Sequence, residues 1–280
     1  MVCREAFLTG TTVFEKMIQR SGVPVIYDFD DAIWHFDVSE ANRSFGWLKN
    51  PGKTARLISM ADIVFAGNRY LADYASHHNS NVVIIPTTID TEEYIPASVA
   101  GRDVVCIGWS GSITTIRHFE MAILFLREIK RKYGDRVVFK VIGDGGYVND
   151  ELGIRGIPWS REAELDELSG IDIGIMPLPD DEWAKGKCGL KGLQYMALGI
   201  ATVMSPVGVN TEIIRDGENG MLAGDDDEWV DKLCRLIEDP ELRRRCGEAG
   251  RRTVEKYYSV EAVKWKYLEH FQALTSGKND

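Results

Sequence analysis

The chain has 280 residues, of which 44% are hydrophobic and 27% are charged, as in an ordinary globular protein. Its 43 acidic residues outnumber its 33 basic ones, which gives a formal net charge of -10 at pH 7. An acidic surface disfavours sequence-independent binding to nucleic acid, because that binding needs a basic footprint. The length suits one large domain or two of ordinary size.

The five cysteines are widely spaced and form no C-x-x-C pair, so neither a zinc site nor a disulfide framework is indicated. No run approaches the roughly 18 apolar residues of a membrane span, and the N-terminal MVCREAFLTG lacks the layout of a signal peptide. We therefore expect a cytoplasmic protein with reduced thiols. The basic and aromatic stretch 42–53 leaves open a peripheral contact with the inner face of a membrane.

Short β-branched runs alternate with longer amphipathic stretches along the chain. The runs predicted to be strands are 23–27, 62–66 and 81–85 in a first unit, then 103–107, 136–142, 171–176 and 200–204 in a second. Both faces of these runs are apolar, as expected when helices cover a parallel sheet. The alternation predicts an α/β fold with doubly wound sheets.

The helices between these strands have the expected period. The stretch TTIRHFEMAILFLREIKRKYG carries an apolar stripe and ends at Gly134, where a left-handed cap is favoured. The segment 86–102 breaks the alternation with two prolines and a glycine, so we interpret it as a linker. A last helix is predicted after Ser259, a good N-cap residue. The predicted domains are 1–98 and 99–258, followed by the helix 259–280.

Three carboxylates, those of Asp28, Asp30 and Asp31, directly follow the first predicted strand. Ligands of open α/β sheets gather at the carboxyl ends of strands, so this cluster is a candidate site. Its oxygens could bind a divalent metal, act as a general base or stabilise positive charge on a reacting sugar. The alternative is a set of loop and helix-capping aspartates, and the residues themselves leave both interpretations open.

A second candidate is GWSGSITTIRH, residues 108–118, which follows a strand and opens a helix. Small residues such as Gly111 and Ser112 let backbone N–H groups approach an anion, and the helix N-terminus adds a favourable potential. Arg117 is placed to reach a phosphate oxygen. An ordinary strand-to-helix turn is the competing interpretation.

The third candidate is GKCGLKGLQYMALG, residues 186–199, which combines glycines and lysines before an apolar helix. If the helix begins near Lys187, then Lys187, Lys191 and Gln194 are spaced i, i+4, i+7 and share one face. Lysine holds a phosphate as a point charge, and the Gln194 amide can hydrogen-bond vicinal hydroxyls such as those of a ribose. The competing interpretation is a solvated polar helix face.

Taken in order, these motifs resemble the retaining GT-B glycosyltransferases of the group 1 family, which transfer sugars from nucleotide donors. The matching motifs run through nearly the whole chain: VPVIYDFDDAIW, ADIVFAGNRYLADYA, VVIIPTTIDTEEY, IGWSGSITT, VIGDGGY, DIGIMPLP, GKCGLKGLQYMALGIATVMSPVGVNTEIIRDGENGMLA and RRRCGEAGRRTVEKYYS. The resemblance implies a GT-B-like α/β fold of two Rossmann-like domains with the active site in the cleft between them. It also implies that the last helix packs back on the N-terminal domain.

The same resemblance implies a nucleotide-diphospho-sugar donor on the C-terminal domain, and transfer without a metal or other cofactor. A positive pair at the diphosphate would stabilise the charge that grows on the leaving group. Asp30 would be the catalytic residue that contacts the sugar. The residues that match the donor-binding positions are Gly111, Ser112, Arg117, Lys187, Lys191 and Gln194.

Three departures from the family pattern bear on activity. Relatives commonly carry two glutamates eight positions apart, whereas this chain has Gly186 and Gln194 there. Many relatives have a histidine where this chain has Asp30. The N-terminal domain is also short, so we expect it to be incomplete and to expose a sheet edge that a partner chain or a second copy would cover.

Three functions follow as alternatives. The first is a retaining, metal-independent glycosyltransferase, and the second is a non-catalytic or partner-dependent module that binds a nucleotide-sugar. The third takes Asp28 to Asp31 as the metal-binding motif of the GT-A fold, although only some twenty-five residues precede Asp28. The donor base, the sugar and the acceptor, whether glycan, lipid or protein, are not defined by the residues.

Overall fold

The structure is a computed structural model, and it describes residues 1–4, 11–35, 50–96 and 103–276. Most of the stretch 42–53 and the end of the predicted linker, 97–102, lie outside the described residues. The chain divides into two compact units. The first comprises Met1–Thr87, Asp180–Cys188 and Glu261–Asp280, and the second comprises Thr88–Pro179 and Gly189–Val260. The chain thus returns to the first unit twice, at Asp180–Cys188 and at Glu261–Asp280. The sequence prediction contains only the second of these returns, through the last helix.

Each predicted run overlaps a described strand, although the bounds differ by up to three residues, and the structure adds several short strands. In chain order the described strands are β1 (Val2–Cys3), β2 (Ile26–Phe29), β3 (Ile63–Ala66), β4 (Val82–Ile84), β5 (Val105–Ser110), β6 (Val137–Gly143), β7 (Val148–Asn149), β8 (Ile154–Arg155), β9 (Ile157–Pro158), β10 (Ile173–Met176), β11 (Ala201–Met204) and β12 (Met221–Leu222). The strands missing from the sequence prediction have two residues each, too few to show a hydrophobic period.

The described helices follow the strands in the expected alternation. In chain order they are α1 (Val13–Arg20), α2 (Pro51–Met60), α3 (Arg69–Ser76), α4 (Ile116–Glu120), α5 (Ile123–Tyr133), α6 (Glu164–Ser169), α7 (Glu182–Lys185), α8 (Leu190–Ala197), α9 (Asn210–Ile213), α10 (Asp226–Glu238), α11 (Pro240–Tyr257) and α12 (Val260–Ser276). No described helix is long and apolar enough to cross a membrane.

The first unit is built on a parallel sheet in the order β1-β2-β3-β4. Successive side chains of a strand point to opposite faces, so each strand feeds two cores. Val64 and Ala66 pack in the cluster formed with α2 and α3. Phe65 lies on the other face with Val263 and Phe271 of α12. The last helix therefore packs on the first sheet.

The second unit contains a parallel sheet in the order β12-β11-β10-β5-β6-β9. Numbered along the chain, this is the doubly wound Rossmann order, in which the direction of winding reverses between β5 and β10. Helices cover the sheet, and α5 and α10 contribute buried residues such as Leu126 and Leu233 to its core. Ligands of such sheets bind outside the carboxyl ends of the strands at the reversal. That edge is where β5 leads to Gly111 and where α8 follows β10.

The predicted helix after β5 is interrupted. Residues Ile113–Thr115 form a 3-10 turn, α4 ends at Glu120 and α5 begins at Ile123. Gly134 follows α5 with φ +57°, a backbone conformation that favours glycine.

One buried hydrogen bond connects α8 to the end of β5. The Ser110 N–H donates to the Tyr195 hydroxyl at 2.6 Å, and both residues are buried.

Tyr195→Phe removes the acceptor but keeps the ring, so we expect the free energy of unfolding to fall by about 1–3 kcal/mol, the cost of an unsatisfied buried N–H. Urea denaturation followed by circular dichroism measures it. Tyr257→Phe, at an exposed position of α11, is the control and is expected to change stability by less than about 0.5 kcal/mol. Equal effects of the two substitutions would contradict the assigned role of the Tyr195 hydroxyl.

Candidate functional site

The carboxyl end of β5 in the second unit leads into a tight turn of small residues. The Gly111 N–H donates to the Ile142 carbonyl at 2.9 Å, which holds the turn against the neighbouring strand β6. Ser112 caps the following 3-10 turn, and its N–H donates to Thr115 Oγ1 at 2.9 Å. Arg117 lies exposed on α4, one turn further. Two of the predicted donor residues, Gly111 and Ser112, therefore lie at the edge where a Rossmann sheet binds its ligands.

Helix α8 begins at the same edge of the sheet. Gly189 precedes it with φ +74°, a left-handed conformation that is strained for any residue with a Cβ, and no side chain caps the helix. Lys191 lies in the first turn and is half-buried. Burial lowers the pKa of Lys191 below its ordinary value, and the Glu164 carboxylate opposes that shift. A half-buried ammonium beside a helix N-terminus is suited to an anionic ligand.

Gln194 is buried, with 4% of its surface exposed, and its amide is fully engaged. Its Nε2 donates to the Tyr94 hydroxyl at 2.6 Å and to Glu164 Oε1 at 3.1 Å, while its Oε1 accepts from Lys191 Nζ at 3.3 Å. Gln194 and Lys191 therefore lie together, as predicted, but Gln194 is held by protein groups. Its predicted contact with a ribose stays a prediction.

Glu164 and Tyr94 contact Gln194 in this site, and Arg251 holds the backbone nearby; the sequence analysis missed all three. Glu164 Oε2 accepts from the Tyr94 hydroxyl at 3.2 Å, and burial is the main reason that the pKa of Tyr94 rises to about 12. Arg251 donates to the carbonyls of Thr91 and Ala197 at 2.9 and 2.6 Å. No local motif marks these residues, because Tyr94 and Glu164 lie 100 and 30 positions from Gln194.

The three aspartates after β2 lie in the first unit and have different environments. Asp30 and Asp31 both accept from Arg4, at 2.7–2.8 Å, and the Asp30 side chain is 53% exposed. Asp31 also accepts from Lys187 Nζ at 3.0 Å. Burial raises the pKa of Asp28, with the nearby Asp30 charge as a further cause. Among the described residues, no His, Cys, Asp or Glu side chains form a group of three arranged to hold a metal ion.

Lys187 is not on helix α8, so the expectation that it shares a helix face with Lys191 is wrong. Helix α8 begins at Leu190, because the left-handed Gly189 cannot continue a helix from the preceding residues. Lys187 belongs to the first unit, where its ammonium pairs with Asp31 and lies 5.0 Å from the centre of the Trp183 ring. Its predicted role at the donor stays a prediction.

The segment that carries Lys187 is fixed within the first unit by Asn68. The Asn68 Nδ2 donates to the carbonyls of Lys185 and Lys187 at 3.3 and 3.0 Å, while its Oδ1 caps α3 by accepting from the Leu71 N–H at 2.9 Å. The Cys188 thiol donates to the Asp30 carbonyl at 3.2 Å, and burial raises the pKa of this thiol to about 12. All five cysteines are free.

Comparison with known proteins shows similarity to glycosyltransferases over part of the chain. Residues 101–239 match the family model described as glycosyl transferases group 1. Over 151 residues the chain is 32% identical to sulfoquinovosyl transferase SQD2 of Arabidopsis thaliana, an alignment that covers 49% of this chain and 28% of that protein. Over 235 residues it is 25% identical to the MMP alpha-(1->4)-mannosyltransferase of Mycolicibacterium hassiacum, covering 79% of this chain and 56% of that protein. The chain thus spans about a quarter to just over half of the curated relatives it matches.

Solved structures agree on the fold. Sucrose-phosphate synthase from Thermosynechococcus elongatus aligns with a TM-score of 0.69 at 15% identity, covering 90% of this chain and 68% of that one. Anabaena HepE, solved in complex with UDP and glucose, aligns with a TM-score of 0.68 at 14% identity, covering 89% of this chain and 71% of that one.

The fold is that of the GT-B glycosyltransferases, with a Rossmann-like parallel sheet in each unit. Within this fold, residues 101–239 are the part of the chain that is similar to the group 1 glycosyl transferases. This fold contradicts the interpretation of Asp28 to Asp31 as the metal motif of a GT-A enzyme.

Gly186 occupies one of the two positions where the family pattern has glutamate, and its surroundings explain the substitution. A Cβ at this position would lie 2.5 Å from the Ala32 Cβ and 2.8 Å from the Ala32 backbone nitrogen.

We expect Gly186→Ala to lower the free energy of unfolding by about 1–3 kcal/mol, because the backbone must shift to accept the methyl group. Urea titration measures the change. Gly52→Ala, whose added Cβ would meet Asn50 Oδ1 at an ordinary 3.4 Å, is the matched control. A Gly186→Ala variant as stable as the control would show that the backbone around residue 186 moves to accept the methyl group without loss of stability.

Proposed function

We propose that the chain is a retaining, metal-independent glycosyltransferase that takes a sugar from a nucleotide-diphospho-sugar. The observation that carries the proposal is the half-buried Lys191 ammonium in the first turn of α8, at the ligand-binding edge of a group 1 glycosyl transferase domain. The names of the two curated relatives describe a sulfoquinovosyl and a mannosyl transferase, and HepE binds UDP and glucose. These relatives support sugar transfer and a nucleotide donor as the general chemistry.

In the proposed reaction, the bond between the anomeric carbon and the diphosphate breaks, and the acceptor hydroxyl forms a new bond to that carbon on the face that the diphosphate leaves. The hydroxyl proton passes to a diphosphate oxygen, so no enzymic nucleophile is required. Negative charge grows on the diphosphate in the transition state. The Lys191 ammonium and the N-terminus of α8 stabilise that charge without reorganisation, because they are fixed before the reaction begins.

The turn after β5 supplies the second half of the proposed donor site. Gly111 and Ser112 let the diphosphate approach the backbone, and Arg117 on α4 extends from the surface toward a phosphate oxygen. In the proposal, Lys187 is a further contact to the diphosphate. Asp30 is the residue that contacts the reacting sugar. The exposed Asp30 carboxylate, already paired with Arg4, is suited to stabilise positive charge on the sugar.

A second candidate function is a module that binds a nucleotide-sugar without turnover, or that turns over only with a partner chain. Two observations favour it: the Gln194 amide has both N–H groups occupied by protein acceptors, and Gly186 leaves no space for a carboxylate. Binding of a nucleoside diphosphate with no donor hydrolysis or transfer would support this second function.

Replacing the proposed diphosphate ligand tests the proposal directly. We expect Lys191→Ala to weaken nucleoside diphosphate binding or to slow turnover by about 2–4 kcal/mol, the range measured for removing one preorganised charge-stabilising group. Isothermal titration calorimetry with UDP, GDP and ADP, followed by donor hydrolysis assays, separates the two effects. Lys264→Ala, which removes an exposed ammonium paired with Glu261 on α12, is the control. Unchanged affinity and rate in Lys191→Ala would refute the assignment.

Metal independence predicts that activity survives chelation. Donor hydrolysis or transfer is measured with and without EDTA, and we expect equal rates because the proposed site neutralises the diphosphate with side chains and a helix N-terminus. Activity that is lost with EDTA and restored by manganese would overturn this part of the proposal.

Asp30 is expected to act on turnover more than on nucleotide binding. Asp30→Asn keeps the shape of the side chain but removes its charge, so the rate should fall while the Kd for nucleoside diphosphate stays within about threefold. An equal loss of both would indicate a structural role through the ion pair with Arg4.

A further inference from the structure

Lys191 is the first member of a chain of hydrogen bonds that ends on another helix. Its ammonium donates to Gln194 Oε1, and Gln194 Nε2 donates to Glu164 Oε1 on α6. We propose that Glu164 is a positioning residue for Lys191, which acts through the Gln194 side chain to hold the ammonium at the N-terminus of α8. This role rests on the proposed function, in which Lys191 binds the donor diphosphate.

The orientation of the Gln194 amide follows from chemistry. An amide has a donor end and an acceptor end, and an ionised carboxylate only accepts. Glu164 therefore requires Nε2 of Gln194 on its side, at 3.1 Å, which directs Oε1 toward Lys191 at 3.3 Å. The reversed amide would place two oxygens against each other at one end and two N–H donors at the other. The Glu164 carboxylate thus orients the Gln194 amide so that its oxygen lies toward Lys191.

Glu164 is itself held from three directions. Its Oε1 accepts from the Trp159 indole at 3.0 Å as well as from Gln194, and its Oε2 accepts from the Tyr94 hydroxyl at 3.2 Å. Tyr94 in turn accepts from Gln194 Nε2 at 2.6 Å, which closes a ring of three side chains. Groups fixed by such a ring lose little further freedom on binding a ligand, which is the basis of preorganisation.

The same carboxylate acts on the charge of Lys191. Burial favours the neutral amine, and the negative charge of Glu164 raises the pKa of Lys191 against that effect. Among the described residues, the titratable groups of this cluster are Lys191 itself, Glu164 and Tyr94. Burial raises the pKa of the Tyr94 hydroxyl to about 12, so this group stays uncharged at neutral pH. Glu164 is therefore the group that favours the charged, phosphate-binding form of Lys191.

The first experiment measures Lys191 without any donor. The pH at which Lys191 becomes reactive is followed by competitive labelling of amines with acetic anhydride and mass spectrometry of the peptide. In Glu164→Gln we expect that pH to fall, because the carboxylate that stabilises the ammonium is gone. Glu167→Gln removes the same charge from the same helix, but Glu167 pairs with Lys140 at 2.7 Å, so Lys191 should titrate as in the unchanged protein.

The second experiment exchanges the two side chains. We expect Glu164→Gln to weaken the best-bound nucleoside diphosphate about tenfold, the effect of losing a hydrogen bond to a charged group. Gln194→Glu alone should also weaken it, because two carboxylates then meet across the 3.1 Å contact. The double variant Glu164→Gln/Gln194→Glu restores one carboxylate and one amide, and its Kd should return to within about threefold of the original.

The outcomes separate this role from the proposed function. A lower labelling pH in Glu164→Gln, with no nucleoside diphosphate bound by the unchanged protein, would support the coupling and refute the donor site. A second outcome is that donor binding depends on Lys191 but is unchanged in Glu164→Gln, and that the labelling pH of Lys191 is also unchanged in that variant. This outcome would overturn the positioning role of Glu164 but not the proposed function. A double variant no better than Gln194→Glu would also overturn it, because a purely structural defect is not repaired by the exchange.

Discussion

The site in the second unit depends on one hydrogen bond, from the Ser110 N–H to the buried hydroxyl of Tyr195. Ser110 ends β5, and the turn of small residues that follows it contains Gly111. Tyr195 is on α8, the helix that follows β10 along the chain. Winding of the sheet reverses between these two strands, and the carboxyl ends of strands at such a reversal are where sheets of this kind bind ligands. The bond thus joins the two segments of the candidate site at the place where the sheet itself favours a ligand.

Helix α8 meets two demands at once. Leu193 and Met196 are fully buried, so the helix is anchored by apolar packing, whereas Lys191 and Gln194 serve a polar cluster. A buried amide is stable only when its donors and acceptor are satisfied. Glu164 and Tyr94 satisfy them, and the same contacts place the Lys191 ammonium. Stability of the helix and order in the candidate site therefore share one set of hydrogen bonds.

The long strands and α8 could be predicted from the sequence because burial on both faces leaves an unbroken apolar run, and burial of one helix face leaves a period of 3.6. The start of α8 could not. A glycine such as Gly189 can lie inside a helix, so the sequence does not mark it as a boundary. Only its left-handed backbone conformation shows that the helix begins at Leu190. Long-range polar pairs leave no local pattern either: Lys187 and Asp31 are 156 positions apart, and Glu164 is 30 positions from Gln194. The motifs predict which residues carry chemistry, whereas tertiary packing decides which neighbours those residues have.

Glutamate is disfavoured for different physical reasons at the two positions where the family pattern predicts it. At position 186 the cause is steric, because any Cβ would contact the backbone of Ala32. At position 194 the cause is electrostatic, because a carboxylate there would lie beside Glu164. With Gln194 in place, the cluster holds one carboxylate and one ammonium, which are linked through the amide.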